Sequence, residues 1–600
     1  MPGINIFCHN HRDEEVAMGK CHFAKISGVA MIWVCLIFAS GVTAENLDKY
    51  PVRFAILGDR TGGHVPGVYG DHVGEVERMR PDFVMTVGDM IEGYTSDSVI
   101  LNQEWHEYDS IVSGLSMPVY YTPGNHDITF DEMLEFYRKC FGEPYYSFDR
   151  RGLHFIVLDN SRQDVGELIP EEQLQWLVED LDENRDAAYT LVFFHKPYWF
   201  EHVARNRPDS MHAIFKEYGV DAVFSGHFHT YFYGQYDGIK YISVGSSGGG
   251  MEPGPTGIGY HFVWVTVDGD GIHVAPILHN GVRAWDEFSA EEDAFYFDNM
   301  SRVVTFQEPA KVDSDLNPLN SMITVMLRNP HDKISISDTL RWDIPEGWSI
   351  EPESLPVELG PEDSISVNFR IMVGEAIYPA PEARLKFPYA ENKFAESSRQ
   401  LGVVRQAKCA NAEKKIQLDG RLDEEIWADP VTTLFAPGGG EMPTDSVEFY
   451  FAYDKKNLYL AASCKENKPE LMVANVVDRD GAVYGEDCVG YFLYPTGDTV
   501  YQVYVNPKGT VFDQAIYPAD DGSMKSDPKW DGKYKVRTFR GSDFWSVEIE
   551  IPLEQLGTRA EPGTEWGVNF RRKQRRLDTA ADWQTPIEYE PETLGRLIFE

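Results

Sequence analysis

Basic residues are scarce. Lys and Arg number 54 against 96 Asp and Glu, a formal net charge of −42 over 600 residues. A surface of that sign excludes a protein that coats nucleic acid, because sequence-independent phosphate attraction needs clustered bases. Cysteine is sparse as well, with only Cys140, Cys409, Cys464 and Cys488 beyond residue 44. None of these four sits in a Cys-x-x-Cys or Cys-x-x-His spacing, which excludes zinc-finger and thioredoxin-like readings. Long apolar runs are missing too. The longest, Ile26–Ala39, has about 14 residues where a comfortable membrane span needs about 20. No internal repeat is visible. What the chain does have is 42% hydrophobic and 13% aromatic residues, enough to bury sizeable cores and to exclude a disordered protein. At about 150 residues per domain, the length predicts three or four domains.

The apolar run follows Lys20 and Lys25 and leads to Val42-Thr43-Ala44. A basic stretch, a short apolar stretch and small residues before the cut predict a secretory signal, cleaved after Ala44. Met18-Gly19-Lys20 makes the more ordinary start, with residues 1–17 then an upstream misassignment. The mature chain is therefore expected to be secreted, periplasmic or at the cell surface, with no stable membrane span. In such a compartment Cys464 and Cys488 either pair or stay as buried free thiols.

From residue 45 to 283 short apolar runs alternate with amphipathic stretches. Val52–Leu57, Phe83–Val87, Val119–Thr122, Phe155–Leu158, Thr190–Phe194 and Ala222–Phe224 read as strands, and Pro170–Glu183 as a helix. This predicts an α/β sandwich. Residues 284–320 read as an acidic connector or extended strap. Residues 321–405 and 410–600 read as two all-β sandwich domains, the first of about immunoglobulin size.

In the α/β region the polar residues fall where strands end: Gly58-Asp59, Gly88-Asp89, Gly124-Asn125-His126-Asp127, His195, and Gly226-His227-Phe228-His229. Each piece alone is an ordinary turn or a packed histidine. Together, in order and each at a strand end, they supply a donor set that suits a pair of divalent transition metals bridged by one carboxylate. Arg60, beside them, is placed to clamp a phosphate or to make a surface salt bridge. Gly245–Gly250 reads equally as a loop over the site or as a surface turn, and is not counted as a phosphate cradle.

This constellation resembles the calcineurin-like metallophosphoesterases, a superfamily that includes purple acid phosphatases and cyclic-nucleotide phosphodiesterases, over about residues 52–283. The resemblance implies a four-layer α/β sandwich and two divalent or trivalent ions (Fe, Mn, Zn or Mg). Asp59, Asp89 and His229 would hold one ion, and Asp89, Asn125, His195 and His227 the other. His126 would be the proton donor or transition-state stabiliser near the leaving oxygen, oriented by a neighbouring carboxylate such as Asp127. A metal-bridging hydroxide would attack a phosphomonoester or phosphodiester. The family's usual Asp-x-His is here Asp59-Arg60-Thr61, so the first ion must draw on Glu92, His64 or water, or bind weakly. Tyr94 lies two residues beyond the place where purple acid phosphatases carry a tyrosine ligand.

Residues 410–600 resemble family 9-like carbohydrate-binding modules, in Ile416–Trp427, Phe451–Asp454, Trp545–Ile551 and Trp566–Arg571. Trp427, Trp545 and Trp566 read as core. Trp583, in a polar run, matches a sugar-stacking tryptophan of that family, with Tyr484 or Trp530 as the second aromatic. The acid pair Asp520-Asp521 offers a calcium reading or simple solvation. Residues 321–405 resemble immunoglobulin-like spacers, notably at Trp342–Trp348. The expected protein is thus a secreted binuclear phosphoesterase with a small phosphorylated substrate and a glycan or polysaccharide partner. The alternative is a non-catalytic glycan- or phosphate-binding protein with a degenerate first metal site.

Overall fold

The structure is a computed structural model that describes residues 44–600 except 166, 375, 438, 496, 519–523 and 586–592. The expected signal, up to residue 43, and the pair Asp520-Asp521 lie outside the described residues. Two compact units divide at Asp298 and Asn299.

In the first unit each of the six apolar runs forms a strand, within a residue or two of its expected ends. One six-stranded sheet runs in the order Gly281–Val282, Gly271–Leu278, His261–Asp268, Val52–Leu57, Phe83–Thr86, Val119–Tyr120. The other runs Tyr146–Arg150, Leu153–Val157, Tyr189–Phe193, Ala222–Ser225, Ile239–Val244, Tyr231–Tyr236. Phe83–Thr86 and Leu153–Val157 are buried at every residue, as parallel strands covered on both faces must be. One core joins the two sheets through Phe54, Phe83, Phe155, Phe193 and Phe224, with Phe54 stacked 5.0 Å from Phe83 and edge-on to Phe155 at 5.7 Å. Each such ring contributes about 1.5–3 kcal/mol by leaving water, so this aromatic layer clamps the sheets together. The alternate residues Ala55, Leu57 and Val84 pack instead against Tyr69, Val73 and Val76 of helix Val68–Met79 and Leu101, Trp105 and Tyr108 of helix Ser98–Val112. The helix expected over 170–183 spans Glu171–Glu183 and buries Leu177 and Leu181.

Residues 284–320 are not an extended strap. They hold helix Ala290–Val303 and strands Val304–Phe306 and Ala310–Asp313. The acids that suggested a connector, Glu291, Glu292 and Asp293, occupy the helix's first turn, where the backbone dipole favours negative charge.

In the second unit, Val304–Phe306 joins Met322–Arg328, Ser364–Val373 and Trp348–Glu351 in a four-stranded sheet. A further four-stranded sheet holds Ser354–Leu359, Ile336–Asp343, Glu382–Ala390 and Lys393–Gln400. Trp342 of the latter meets Phe369 of the former at 5.4 Å. The remaining strands form one 13-stranded sheet, in which Val403–Asn411 pairs with both Gly595–Phe599 and Val447–Tyr453. Its core includes Trp545 and Trp566, and Trp427 is buried in a neighbouring cluster. Cys464 and Cys488 are buried free thiols rather than a disulfide. Among the described residues no helix is long and apolar enough to cross a membrane.

Candidate functional site

Both sheets of the first unit send ligand-type side chains from their strand ends to one place. Asp59 follows Val52–Leu57, Asp89 follows Phe83–Thr86, and Asn125-His126 follow Val119–Tyr120. From the second sheet come His195, after Tyr189–Phe193, and His227 and His229, after Ala222–Ser225. Two groups result, Asp59–Asp89–His229 and Asp89–His195–His227, with ligand atoms in each within 4.8 Å of one another. Asp89 belongs to both. The close approach needs glycine: a Cβ on Gly124 would fall 2.2 Å from Asp89 Oδ1, and one on Gly88 2.6 Å from His195 Nδ1.

Backbone contacts fix which nitrogen each imidazole presents. His195 Nδ1 lies 2.7 Å from the Val87 carbonyl, so it must be the donor. Its Nε2 then faces Asp89 Oδ2 at 3.1 Å and Asn125 Oδ1 at 2.9 Å. His229 Nδ1 likewise donates to Gly250 O at 2.6 Å, leaving Nε2 3.6 Å from Asp59 Oδ1. Such outer hydrogen bonds set the tautomer and orientation of metal-binding histidines. His227 Nδ1 and His195 Nε2 face each other at 3.3 Å. Asp59 is fully buried, and its Oδ2 has no hydrogen-bond partner. An unpaired buried carboxylate oxygen is costly, and a cation shared with the facing nitrogens removes that cost. The donor set therefore fits metal ions. Asp89, His227 and His229 all adopt left-handed backbone, with φ of 56°, 77° and 55°, a strain of about 1–3 kcal/mol each that clusters at functional sites.

Titration follows the same geometry. Burial raises the Asp59 carboxyl above its ordinary value. Burial also opposes ionisation of Asp89, but the His195 and His126 imidazoles outweigh it and hold that carboxyl well below the usual range. His195, despite burial, is pushed up to about 9 by Asp89 and Asp59. Burial and then the neighbouring His195 push His227 down to about 3.

Several expected residues stand elsewhere. Thr61 turns its hydroxyl to the carbonyls of Asp89 and Ile91, at 3.0 and 2.7 Å, and offers nothing to a metal. Glu92 and His64 bind each other and fall outside both groups. The Tyr94 hydroxyl receives the Asn125 amide N–H at 2.6 Å, and its ring lies edge-on to His126 at 4.6 Å. Arg60 is not free for phosphate: its guanidinium is buried against Met90 O at 2.9 Å and paired with Glu107. Asp127 does not orient His126. Its carboxylate is buried and accepts the N–H groups of Met90, Ile91 and Gly124 at 2.8–3.2 Å, and burial with the nearby Asp89 pushes it up to about 7. His126 is oriented instead by the Glu92 carbonyl, 2.7 Å from its Nδ1. In the Gly245–Gly250 loop, the N–H groups of Ser247, Gly248 and Gly249 all converge on the Asp59 carbonyl at 3.0–3.1 Å, so they position a ligand residue rather than cradle phosphate.

In the second unit Trp583 is fully buried, stacked on Phe570 at 4.7 Å, and cannot present a face to a sugar. Trp530 packs on Tyr501 at 4.7 Å. A groove of about 610 Å³ lies elsewhere, lined by Tyr484, Tyr504, Phe512, Gln502, Gln514 and Arg571 among others. Cross-strand register builds it: Gln502 opposes Gln514 and Tyr504 opposes Phe512. Tyr484, about half exposed, sits edge-on to Phe512 at 5.0 Å. Arg571 is held by a two-pronged ion pair to Asp582, at 2.9 and 3.1 Å. Apart from Tyr484, sequence reasoning missed these residues; the signal that marks them is the i, i+2 alternation of Gln502 with Tyr504 and Phe512 with Gln514.

Residues 53–231 match the family model described as Calcineurin-like phosphoesterase. Among curated proteins, Purple acid phosphatase 15 of Arabidopsis thaliana is 26% identical over 232 residues, 31% of this chain and 41% of that protein. Serine/threonine-protein phosphatase CPPED1 of Homo sapiens is 26% identical over 203 residues, 30% of this chain and 63% of that protein. The chain thus spans roughly half of the curated relatives it matches. Among solved structures, purple acid phosphatase PPD1 of yellow lupin (Lupinus luteus) aligns with 15% identity and a TM-score of 0.32, over 39% of this chain and 53% of that one. A family 9 carbohydrate-binding module of Caldicellulosiruptor kristjanssonii, in complex with cellotriose, aligns with 14% identity and a TM-score of 0.23, over 32% and 93%. The ligand-bearing strand ends from Asp59 to His229 fall within the matched segment, and residues 53–231 are a calcineurin-like phosphoesterase domain.

Proposed function

We propose that the chain is a metal-dependent hydrolase of phosphomonoesters or phosphodiesters that uses two ions, exported to the cell surface, periplasm or medium, with a glycan-binding second unit. The observation that carries this reading is Asp89, shared by two donor groups beside a buried Asp59 oxygen with no other partner. Bound ions would neutralise phosphate oxygens and acidify water for attack on phosphorus. The first group is richer in oxygen than the second, which favours iron, manganese or magnesium over zinc there. Since Thr61, Glu92 and His64 are engaged elsewhere, an ion held by that group would take its remaining donors from outside the protein.

The chain's own residues supply the rest. Asn125 donates its amide N–H to the Tyr94 hydroxyl, which turns its Oδ1 towards His195 Nε2 and the second group. His126 has its Nδ1 committed to Glu92 O. Its Nε2 faces the Gly62 turn, which also adjoins His229 Nε2, and there it would hold the proton that the leaving oxygen takes up. In a chain of charge −42, an anionic substrate needs local cancellation, and the ions provide it. In the second unit the aromatic and amide-lined groove, not Trp583, is the proposed sugar platform.

The test is hydrolysis of p-nitrophenyl phosphate and its bis-ester after reconstitution with Mn, Fe, Zn or Mg. Turnover is expected with at least one metal; none with any would support the non-catalytic alternative instead. A glycan array on the intact chain tests the groove.

A further inference from the structure

On the His227 side of the metal centre lies a cavity of about 340 Å³. The rings of Phe200, Phe228 and Phe297 line it, together with Thr230, Glu252 and Asp293. Phe200 and Phe228 meet edge to face at 5.1 Å. Asp293 and Phe297 come from helix Ala290–Val303, beyond the 53–231 segment that matches the family model.

Three buried polar atoms on residues lining this space have no hydrogen-bond partner: Asp293 Oδ1 on a residue 3% exposed, Thr230 Oγ1 on one 1% exposed, and Arg205 Nε. Each is costly unless something donates to or accepts from it. The base on this wall, Arg205, has its charge paired with Asp298 at 2.8 Å and with Glu201, which also lines the cavity, at 3.4 Å. Among the described residues neither Asp293 nor Glu252 makes a salt bridge. Burial raises the Asp293 carboxyl to about 7 and outweighs the opposing Thr256 hydroxyl and Arg205 charge. Aromatic faces, acids in excess of bases and an unpaired hydroxyl together repel a second phosphate or a carboxylate. They favour an ammonium or an N–H donor on an apolar body, which the rings hold through cation–π attraction and area burial.

We propose that this cavity takes the organic part of the substrate, an apolar or aromatic alcohol bearing an amine, while its phosphate lies at the metal centre that His227 borders. The inference rests on the phosphoesterase reading for the phosphate half only. The amine half is measurable without turnover. Calorimetric titration of the intact protein with tyramine and with 3-(4-hydroxyphenyl)propionate should show tyramine binding about tenfold tighter or better. Asp293→Asn and Glu252→Gln should each weaken tyramine, and Phe297→Ala should weaken both compounds. Glu252 is exposed, so its variant keeps the test open should Asp293→Asn destabilise the helix. In parallel, kcat/KM for the O-phosphate of tyramine should exceed that of the propionate ester about tenfold, and the ratio should fall in the acid variants. Equal binding of the two compounds, or tyramine binding untouched by both acid variants, overturns the cavity inference. Selective tyramine binding with neither ester hydrolysed would sustain the cavity and overturn the hydrolase reading.

Discussion

At the strand ends of the first unit, converging polar groups leave a buried carboxylate oxygen unsatisfied, whereas in the groove of the second unit the polar side chains Arg571, Gln502 and Gln514 are already paired. Asp59 Oδ2 has no partner, and His195 Nε2 faces His227 Nδ1 at 3.3 Å. Three of the converging residues hold left-handed backbone. In the groove, by contrast, Arg571 is matched by Asp582 and Gln514 by Gln502, on strands of regular register. The first arrangement is incomplete without a cation; the second is complete without a ligand and offers an aromatic surface. A site that holds ions retains unmet electrostatic demand, and a surface proposed for a neutral sugar need not.

Substitutions can break this contrast. Asp89→Asn removes the carboxylate common to both groups and should lower kcat on p-nitrophenyl phosphate by about a thousandfold or more, leaving glycan binding unchanged on the same preparation. Trp583→Ala should act on stability, costing about 3–5 kcal/mol in denaturant unfolding of the second unit as a buried ring is lost; a selective loss of sugar binding at unchanged stability would restore a stacking role. A third test uses a satisfied cluster in the first unit. His154 is 2% exposed between Asp149 and Asp180, each at 2.8 Å. Burial alone would depress it, but the two carboxylates push it up to about 9. Because the folded value is raised, its contribution is fully present below the unfolded value of about 6.5 and is lost as pH rises through about 9. Asp149 is exposed, which screens its share, so His154→Gln should cost about 1–2 kcal/mol near pH 6 and little above about pH 10. Thermal unfolding across that range measures it. The smallest effect is expected at Tyr484→Ala, about tenfold weaker glycan binding by titration with no change in phosphoester turnover.

The contrast also explains what could be read from the chain. Asp59, Asp89, Asn125, His195, His227 and His229 each lie within a few residues after an apolar run, so local pattern placed them at strand ends, and five such ends in order pointed to one centre. Partners fixed by long-range approach were not legible. That Asp127 would turn to backbone N–H groups, or Arg60 to Met90 and Glu107, depends on loops tens of residues apart. The groove was hidden for a similar reason. Its pairs Gln502–Gln514 and Tyr504–Phe512 exist only once the register is set, and a Trp in a polar run looked more exposed than it is. The helix at Ala290–Val303 was obscured because its acidic first turn resembles a solvated linker in composition, although the same charges favour a helix start.

Metal stoichiometry tests the central claim most directly. Purified chain reconstituted with Mn, Fe, Zn or Mg and cleared of loose ions should carry about two ions by elemental analysis, with Asp59→Asn and His227→Ala each retaining about one and Asp89→Asn fewer. A wild-type chain that holds none, or a His227→Ala chain that keeps both, would contradict a centre built on Asp89 as the shared carboxylate.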